Sequence, residues 1–412
     1  MSPPADSVAR LRSLLSDVHA GGRGWTLLAL AGGWFFVLGL RFVVPALLPF
    51  ITDDFPVSNA AAGGAITVLW VTYALIQFPA GAMVDRLGER RLLVASALLS
   101  AAGLAGYLGS VTWSIFLLAT AAFGFGSGLF GPARGTVLTR TFPDRDGVAF
   151  GTVLAAGSVG AAALPVIGTL LADRVGWRLA VGVLLPGFLL AAVGLWATVP
   201  TGTASGPVPD GGRVTVREEL AAVRSAITSH RVALAVAAIT LMLFAFQGLT
   251  AFLTTYYVEA KGLSEGMAGG LFGLLFASGA VSQSLGGGLA DRWGHPRVLA
   301  AVSFLSVPPL LALPFLSGLA PLAVVSAILG VRLSVGPVSN AYIVSLLPVD
   351  VRGTAWGLLR TGFFTLGAFG STAVGAMADR ALFAEAFFLL AALTAVAGVV
   401  YLFLPARGGL EA

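Results

Sequence analysis

Gly81-Ala-Met-Val-Asp-Arg-Leu-Gly-Glu-Arg-Arg91 returns at an offset of 206 residues as Gly287-Gly-Leu-Ala-Asp-Arg-Trp-Gly-His-Pro-Arg297. Gly81, Asp85, Arg86, Gly88 and Arg91 recur as Gly287, Asp291, Arg292, Gly294 and Arg297. The same offset carries Gln77 to Gln283, Gly147, Ala149 and Gly151 to Gly353, Ala355 and Gly357, and Asp173-Arg174 to Asp379-Arg380. An apolar chain yields chance matches among its apolar residues, but not a series of polar ones at one offset. The chain is therefore read as two homologous halves.

What surrounds the repeat is apolar. Of 412 residues 57% are hydrophobic and only 10% charged, where soluble domains carry roughly 25% charged residues. So few charges cannot cover a surface that faces water. A helix needs about 20 apolar residues to cross a hydrocarbon core, and that ruler gives twelve spans. Spans 1 to 6 cover 25–51, 60–84, 91–110, 113–138, 147–172 and 178–199. Spans 7 to 12 cover 231–258, 266–289, 297–317, 320–347, 354–378 and 383–404. The expected organisation is a tail 1–24, a six-helix bundle 25–199, a linker 200–230, a second bundle 231–404 and a tail 405–412. The linker reads as Gly/Pro/Thr/Ser followed by a short amphipathic helix from Val214 to about Thr228.

Loop arginines set the orientation, because positive residues stay on the cytoplasmic side. With both termini inside, sixteen of the 24 Lys and Arg fall on inner segments, against Arg174, Arg178, Lys261 and Arg380 outside. The polar start, Met1 to Gly24, lacks a cleavable-signal pattern, so the first span is expected to stay in the mature chain. The expected location is the cell membrane, multi-pass, with lipid around a monomer. Cysteine is absent, and His19, His230 and His295 form no cluster, so no metal site or cysteine nucleophile is expected. No phosphate-binding loop, catalytic constellation or basic nucleic-acid patch appears. The chain is read as a non-enzyme without cofactor, metal or nucleic-acid partner.

The repeated stretch resembles the signature of the major facilitator superfamily. Twelve spans in two sixes, a long central loop and the motif after spans 2 and 8 agree with that resemblance. It implies an all-α membrane fold of two pseudo-symmetric six-helix bundles, moving a small solute by alternating access. It also implies that Asp85, Arg86, Asp291 and Arg292 belong to an inner gate locking the outward-open state. Each gate is expected to meet the other half, Asp85 near the start of span 11 and Asp291 near the start of span 5. The sequence departs from the family at Glu89 and His295, where the family has a basic residue. Gly151, Gly160, Pro165 and Gly168 resemble a glycine-proline motif of proton-driven exporters, with Leu164 and Thr169 as departures. Arg41, followed by Pro45 and Pro49, is similar to the anion-transporting branches.

Four arginines interrupt spans: Arg41, Arg134, Arg332 and Arg360. A charge at that depth is costly and marks a functional site by default. Arg41 and Arg332 lie near mid-span and are expected to face one central cavity. Arg134 and Arg360 lie nearer the cytoplasmic boundary, where snorkelling explains them equally well. No Asp or Glu sits within the central part of any span, so these cations have no counter-ion in the chain. An unpaired positive cavity is completed by an anion, and the guanidinium fork suits carboxylate or phosphate. The repeat pairs Arg41 with Gln247 and Arg134 with Asn340. Helical spacing adds Trp34 and Leu38 beside Arg41, and sets Tyr73 and Gln77 on the face of Trp70. It also gives a stripe of Thr240, Phe244, Gln247 and Thr254, and another of Arg332, Gly336 and Ser339. The candidate substrate site is Arg41, Arg332, Gln247, Arg134, Asn340, Tyr73, Gln77, Gln283 and Trp34. The expected substrate is a small organic or inorganic anion. The alternatives are a proton-coupled multidrug exporter and a non-transporting sensor of this fold. With no mid-span carboxylate or histidine, exchange or facilitated diffusion is expected, Glu259 being the nearest titratable group.

Overall fold

The computed structural model describes residues 23–143, 145–201, 223–225 and 227–405. They are helical almost throughout, because a lipid-facing segment must satisfy every backbone N–H and C=O within itself. In chain order the spans are α1 Arg23–Ala46, α2 Asn59–Leu87, α3 Glu89–Leu108, α4 Trp113–Thr141, α5 Asp146–Val175 and α6, in two pieces, Trp177–Gly182 and Leu185–Thr198. The second half holds α7 His230–Glu259, α8 Glu265–Trp293, α9 His295–Ala312, α10 from Leu319 to Leu346, α11 Arg352–Ala378 and α12 Phe383–Leu402. Eleven of them are long and apolar enough to cross a membrane; the twelfth, α11, has 27 residues and runs antiparallel to α2.

Besides α6, two further spans are interrupted where the sequence reading has one continuous helix. The first breaks at Leu47, between Pro45 and Pro49, and resumes as Leu48–Asp54. The tenth consists of Leu319–Leu329, a tighter 3-10 stretch Gly330–Ser334, and Val335–Leu346. There α10 presses on α8 so closely that a Cβ at Gly330 would collide with the Leu275 carbonyl and the Ser278 hydroxyl. The amphipathic helix expected after Val214 lies mostly outside the described residues, as do both tails. Of its apolar positions, Val223 and Ile227 pack with Val232, Leu347 and Val351.

The duplication is visible in the local chemistry. Ser58 and Ser264, again at the offset of 206, cap α2 and α8 by accepting from the N–H groups of Ala61 and Met267. Gly88 and Gly294 turn the chain between α2 and α3 and between α8 and α9 with φ of 81° and 87°, a region that L side chains resist. Glu89, the departure from the family pattern, is buried at the start of α3 and pairs with Arg140 of α4 at 2.5 Å. Its repeat mate His295 stacks on Tyr342. Both replacements therefore serve contacts within one half.

Within the first half α1 lies on α5, and α4 lies on α2 and α3; within the second α7 lies on α11, α9 on α12 and α8 on α10. Two seams join the halves, α2 with α11 and α5 with α8, and the repeat exchanges one for the other. We name the side bearing Arg23 and Pro405 the terminal face and the opposite side the far face.

The far face is closed by direct contacts between halves. The carboxylate of Asp379, at the end of α11, accepts from the N–H groups of Asn59 and Ala60 at 2.6 and 3.0 Å. These are among the N–H groups that a helix start leaves without partners, and a negative charge is favoured there. The Thr67 hydroxyl lies 2.9 Å from the Ala368 carbonyl and 2.7 Å from the Thr372 hydroxyl. Thr254 donates to the Pro45 carbonyl at 3.1 Å, and the rings of Phe42 and Phe276 meet at 4.2 Å. Beside this closure, within the first half, Asp54 accepts from the Trp177 indole and from Arg178. The Trp177 bond first, then Arg178, holds its carboxyl below the usual carboxylate range. Toward the terminal face the α2–α11 seam is carried by Thr361 donating to the Ala74 carbonyl at 3.3 Å and by Gly357 packing on the Phe78 ring. Asp85 and Asp291 are exposed there and bond no other described residue. The cavity between the halves thus opens on the terminal face.

Candidate functional site

The cavity has a volume of about 610 Å³ and is lined by α1, α2, α4 and α5 from one half and α7, α8, α10 and α11 from the other. Every candidate substrate residue read from the sequence lines it: Trp34, Arg41, Tyr73, Gln77, Arg134, Gln247, Gln283, Arg332 and Asn340. The repeat explains why they meet. Positions related by the offset face each other across the pseudo-symmetry axis, as with Arg41 and Gln247, Gln77 and Gln283, or Arg134 and Asn340. The gating-motif residues lie elsewhere, at the terminal ends of α2 and α8, around the Gly88 and Gly294 turns.

Close backbone approach sets the first-half wall. A Cβ at Gly124 would strike the Leu69 carbonyl, and one at Gly128 the Tyr73 carbonyl, so these glycines lay α4 directly on α2. Gly157 of α5 leaves room for the Trp34 indole. Arg41 is 2% exposed and donates from Nη2 to the Ser127 carbonyl of α4 at 3.1 Å. Its guanidinium sits 3.9 Å from the centre of the Tyr73 ring and 5.3 Å from that of Trp34. Arg134 lies 4.1 Å over the same Trp34 ring, and its Nε and Nη1 have no hydrogen-bond partner. From the second half, Arg360 of α11 donates to the Tyr73 hydroxyl at 3.4 Å and leaves Nε unpartnered. Arg41, Arg134 and Arg360 thus form one cluster threaded by two aromatic rings. No carboxylate lines the cavity among the described residues.

Arg332 lines the cavity, but its fork is engaged within its own half. The 3-10 stretch turns its guanidinium into the second half. Nη1 donates to Thr394 of α12 at 3.0 Å and Nη2 to the Met242 carbonyl of α7 at 3.3 Å. It is a strut between α7, α10 and α12, with only Nε left over. The helix-7 stripe is also displaced: Ile239, Met242, Leu243 and Phe246 line the cavity beside Gln247, while Thr240, Phe244 and Thr254 do not. Gly336 lines it, whereas Ser339 bonds the Tyr401 hydroxyl inside its own half. Glu259 is exposed at the far end of α7.

Arg360, with Trp70, Trp356 and Phe364, was not among the candidate site residues. Depth along its span placed Arg360 near the boundary. The repeat held the missing signal, since Arg360 is the mate of Leu154, and both line the cavity.

Among known proteins, the chain is 27% identical to "Multidrug resistance protein MdtG" of Serratia proteamaculans over 316 residues, covering 72% of this chain and 73% of that protein. It is 25% identical to "Uncharacterized MFS-type transporter YfnC" of Bacillus subtilis over 350 residues, covering 83% of each. A solved bacterial homolog of the human lysosomal transporter Spinster, inward-facing and unoccupied, superposes with TM-score 0.74 at 18% identity, covering 92% of this chain and 96% of that one. That likeness is one of fold. With residues 29–336 matching the family's pattern and two six-helix halves around a one-sided cavity, the chain belongs to the Major Facilitator Superfamily of membrane transporters.

Proposed function

We propose that the chain is a secondary transporter of a small organic or inorganic anion, working by alternating access in the cell membrane as a monomer. The terminal face is the cytoplasmic one, in keeping with its arginines. One observation carries the anion reading. The cavity's buried polar atoms without partners are nearly all donors: the indole N–H of Trp34 and Trp70, amide Nε2 of Gln77, Nε and Nη1 of Arg134, and Nε of Arg41, Arg332 and Arg360. Gln247 Oε1 is the one acceptor among the fully buried unpartnered atoms of that wall in the described residues. A ligand that completes this set must bring acceptors and negative charge. Arg41, Arg134 and Tyr73 carry the site, with Trp34, Gln77, Gln247, Gln283 and Asn340 around them. The motif residues Gly81, Asp85, Arg86, Gly88 and Arg91, with Gly287, Asp291, Arg292, Gly294 and Arg297, engage when the terminal face closes.

A panel of carboxylates, phosphates and drug-like cations tested on the melting temperature of the purified protein decides the matter. Carboxylates or phosphates are expected to raise it; a response to cations alone overturns the reading. Arginine keeps its proton at physiological pH, so the empty cavity holds its charge until an anion neutralises it. In liposomes, labelled-anion counterflow is expected to be fast, with little response to an imposed pH gradient. Transport that follows the pH gradient in fixed proportion overturns the exchange mode. Arg332→Met is expected to leave anion affinity within about threefold of the parent, because the fork it removes is already committed to Thr394 and Met242.

A second reading, a multidrug exporter, is favoured by the name of the Serratia relative and by the apolar second-half wall of Ile239, Met242, Leu243, Phe246 and Phe276. The same panel separates the two.

A further inference from the structure

Resting on the anion reading, the geometry points to a narrower ligand: we propose that the cavity takes a divalent anion, held between Arg134 of α4 and Arg360 of α11. The ligand carries either two carboxylates or one doubly ionised phosphoryl group.

The cluster runs Arg134, Trp34, Arg41, Tyr73, Arg360, with each guanidinium sharing an aromatic neighbour with the next. Ring faces attract cations but leave their charge in place. Three positive charges of this cluster therefore face a cavity that no carboxylate lines among the described residues, while the fork of Arg332, a fourth cation on the wall, is tied to Thr394 and Met242 within the second half. Closing over a monovalent anion would bury two uncompensated charges, which is strongly unfavourable. A divalent anion leaves one, and the structure already provides for it. Arg41 is bonded to the Ser127 carbonyl and lies 3.9 Å from the Tyr73 ring centre. The other two are underused. Arg134 makes no hydrogen bond from Nε or Nη1, and Arg360 makes only the 3.4 Å bond to Tyr73.

These two arginines also come from different halves. An anion with charge for both bridges α4 and α11 on the open side of the cavity. Neutralising them removes the repulsion that opposes approach of the halves there. A monovalent ligand satisfies one and leaves the other to resist closure. Charge on the ligand is thus read as closure.

The test compares ligands of one shape and different charge on the purified full-length chain. The pairs are phthalate against its monomethyl ester, and phenyl phosphate against methyl phenyl phosphate, at pH 8 where the first of each pair is divalent. The divalent member is expected to bind at least about tenfold more tightly, as each additional charged contact allows. Arg360→Gln is expected to remove that preference, the divalent member losing at least about tenfold in affinity and the monovalent member less. Arg360→Lys, which keeps the charge, is expected to retain part of it. The carboxylate and phosphate arms identify which divalent group fits. Equal affinity for both members of each pair in the parent protein overturns the proposal and leaves the anion reading standing. No response to any of the four ligands overturns the anion reading itself. Should Arg360→Gln not fold, the parent comparison and Arg360→Lys still decide.

Discussion

Arg134→Gln is expected to raise the melting temperature of the empty protein and to abolish its response to anions. The two effects have opposite signs because the guanidinium is held for a ligand and not for the fold. Its Nε and Nη1 lack partners, its main protein contact is the Trp34 ring, and its neighbours in the cluster are the like-charged Arg41 and Arg360. Replacing an uncompensated buried charge by a shorter neutral amide stabilises by about 1–3 kcal/mol, a rise of a few degrees. On the ligand side, losing one partner of a buried charge pair costs roughly 2–5 kcal/mol, at least about 30-fold in affinity. Melting curves with and without phthalate, together with counterflow in liposomes, read both quantities from one preparation. A lower melting temperature with an unchanged anion response would make Arg134 a structural residue.

Gly63→Val is expected to turn the transporter over, closing the terminal face and opening the far one. Gly63 sits where α2 meets the second half, and its near neighbours are the Ser371 backbone and the Phe252 ring. A Cβ there strikes the Ser371 carbonyl, a backbone atom that cannot rotate away, so α2 and α11 must separate at the far face. The three atoms nearest that Cβ all belong to the second half, so the clash falls on the seam between the halves. Alternating access links separation on one face to approach on the other. Approach at the terminal face brings the ends of α2 and α8, with Asp85 and Asp291, toward the starts of α11 and α5. The chain has no cysteine, so Asn340→Cys in the cavity wall gives a single reporter. Labelling from the terminal side is expected to fall at least about tenfold, and labelling from the far side to appear, for a shift of more than about 1.4 kcal/mol. Unchanged labelling from both sides would remove the α2–α11 seam from the conformational balance. Asp379→Asn should act in the same direction and more weakly, since it weakens two charge-assisted bonds and leaves the helix contact in place. Among the described residues no equivalent bond joins the other seam, where Glu265 occupies the position that Asn59 holds by the repeat and the exposed Asp173 is the mate of Asp379.

The sequence by itself determined the spans, the duplication and nine residues of the cavity wall. Each follows from a local or translational rule. Twenty apolar residues must cross lipid as helix, and polar matches at one offset mean two copies. Mates of an offset lie on opposite sides of the pseudo-symmetry axis, so a cavity-facing residue of one half marks a cavity-facing position in the other, as with Arg41 and Gln247 or Gln77 and Gln283. Ser58 and Ser264, or Gly88 and Gly294, mark helix starts and turns for the same local reason. What each arginine does with its fork was decided only by the tertiary structure. Arg332 and Arg41 lie at similar depth, yet the 3-10 stretch at Gly330–Ser334 turns one toward Thr394 and Met242, while Gly124 and Gly128 bring Ser127 and Tyr73 to the other. Arg360 looked peripheral along its own span, and only the antiparallel pairing of α11 with α2 sets it level with Tyr73. Which face stands open was decided there too. One sequence supports both arrangements, and contacts such as Asp379 with Asn59 and Ala60, between residues 320 and 319 positions apart, exist only once the halves have docked.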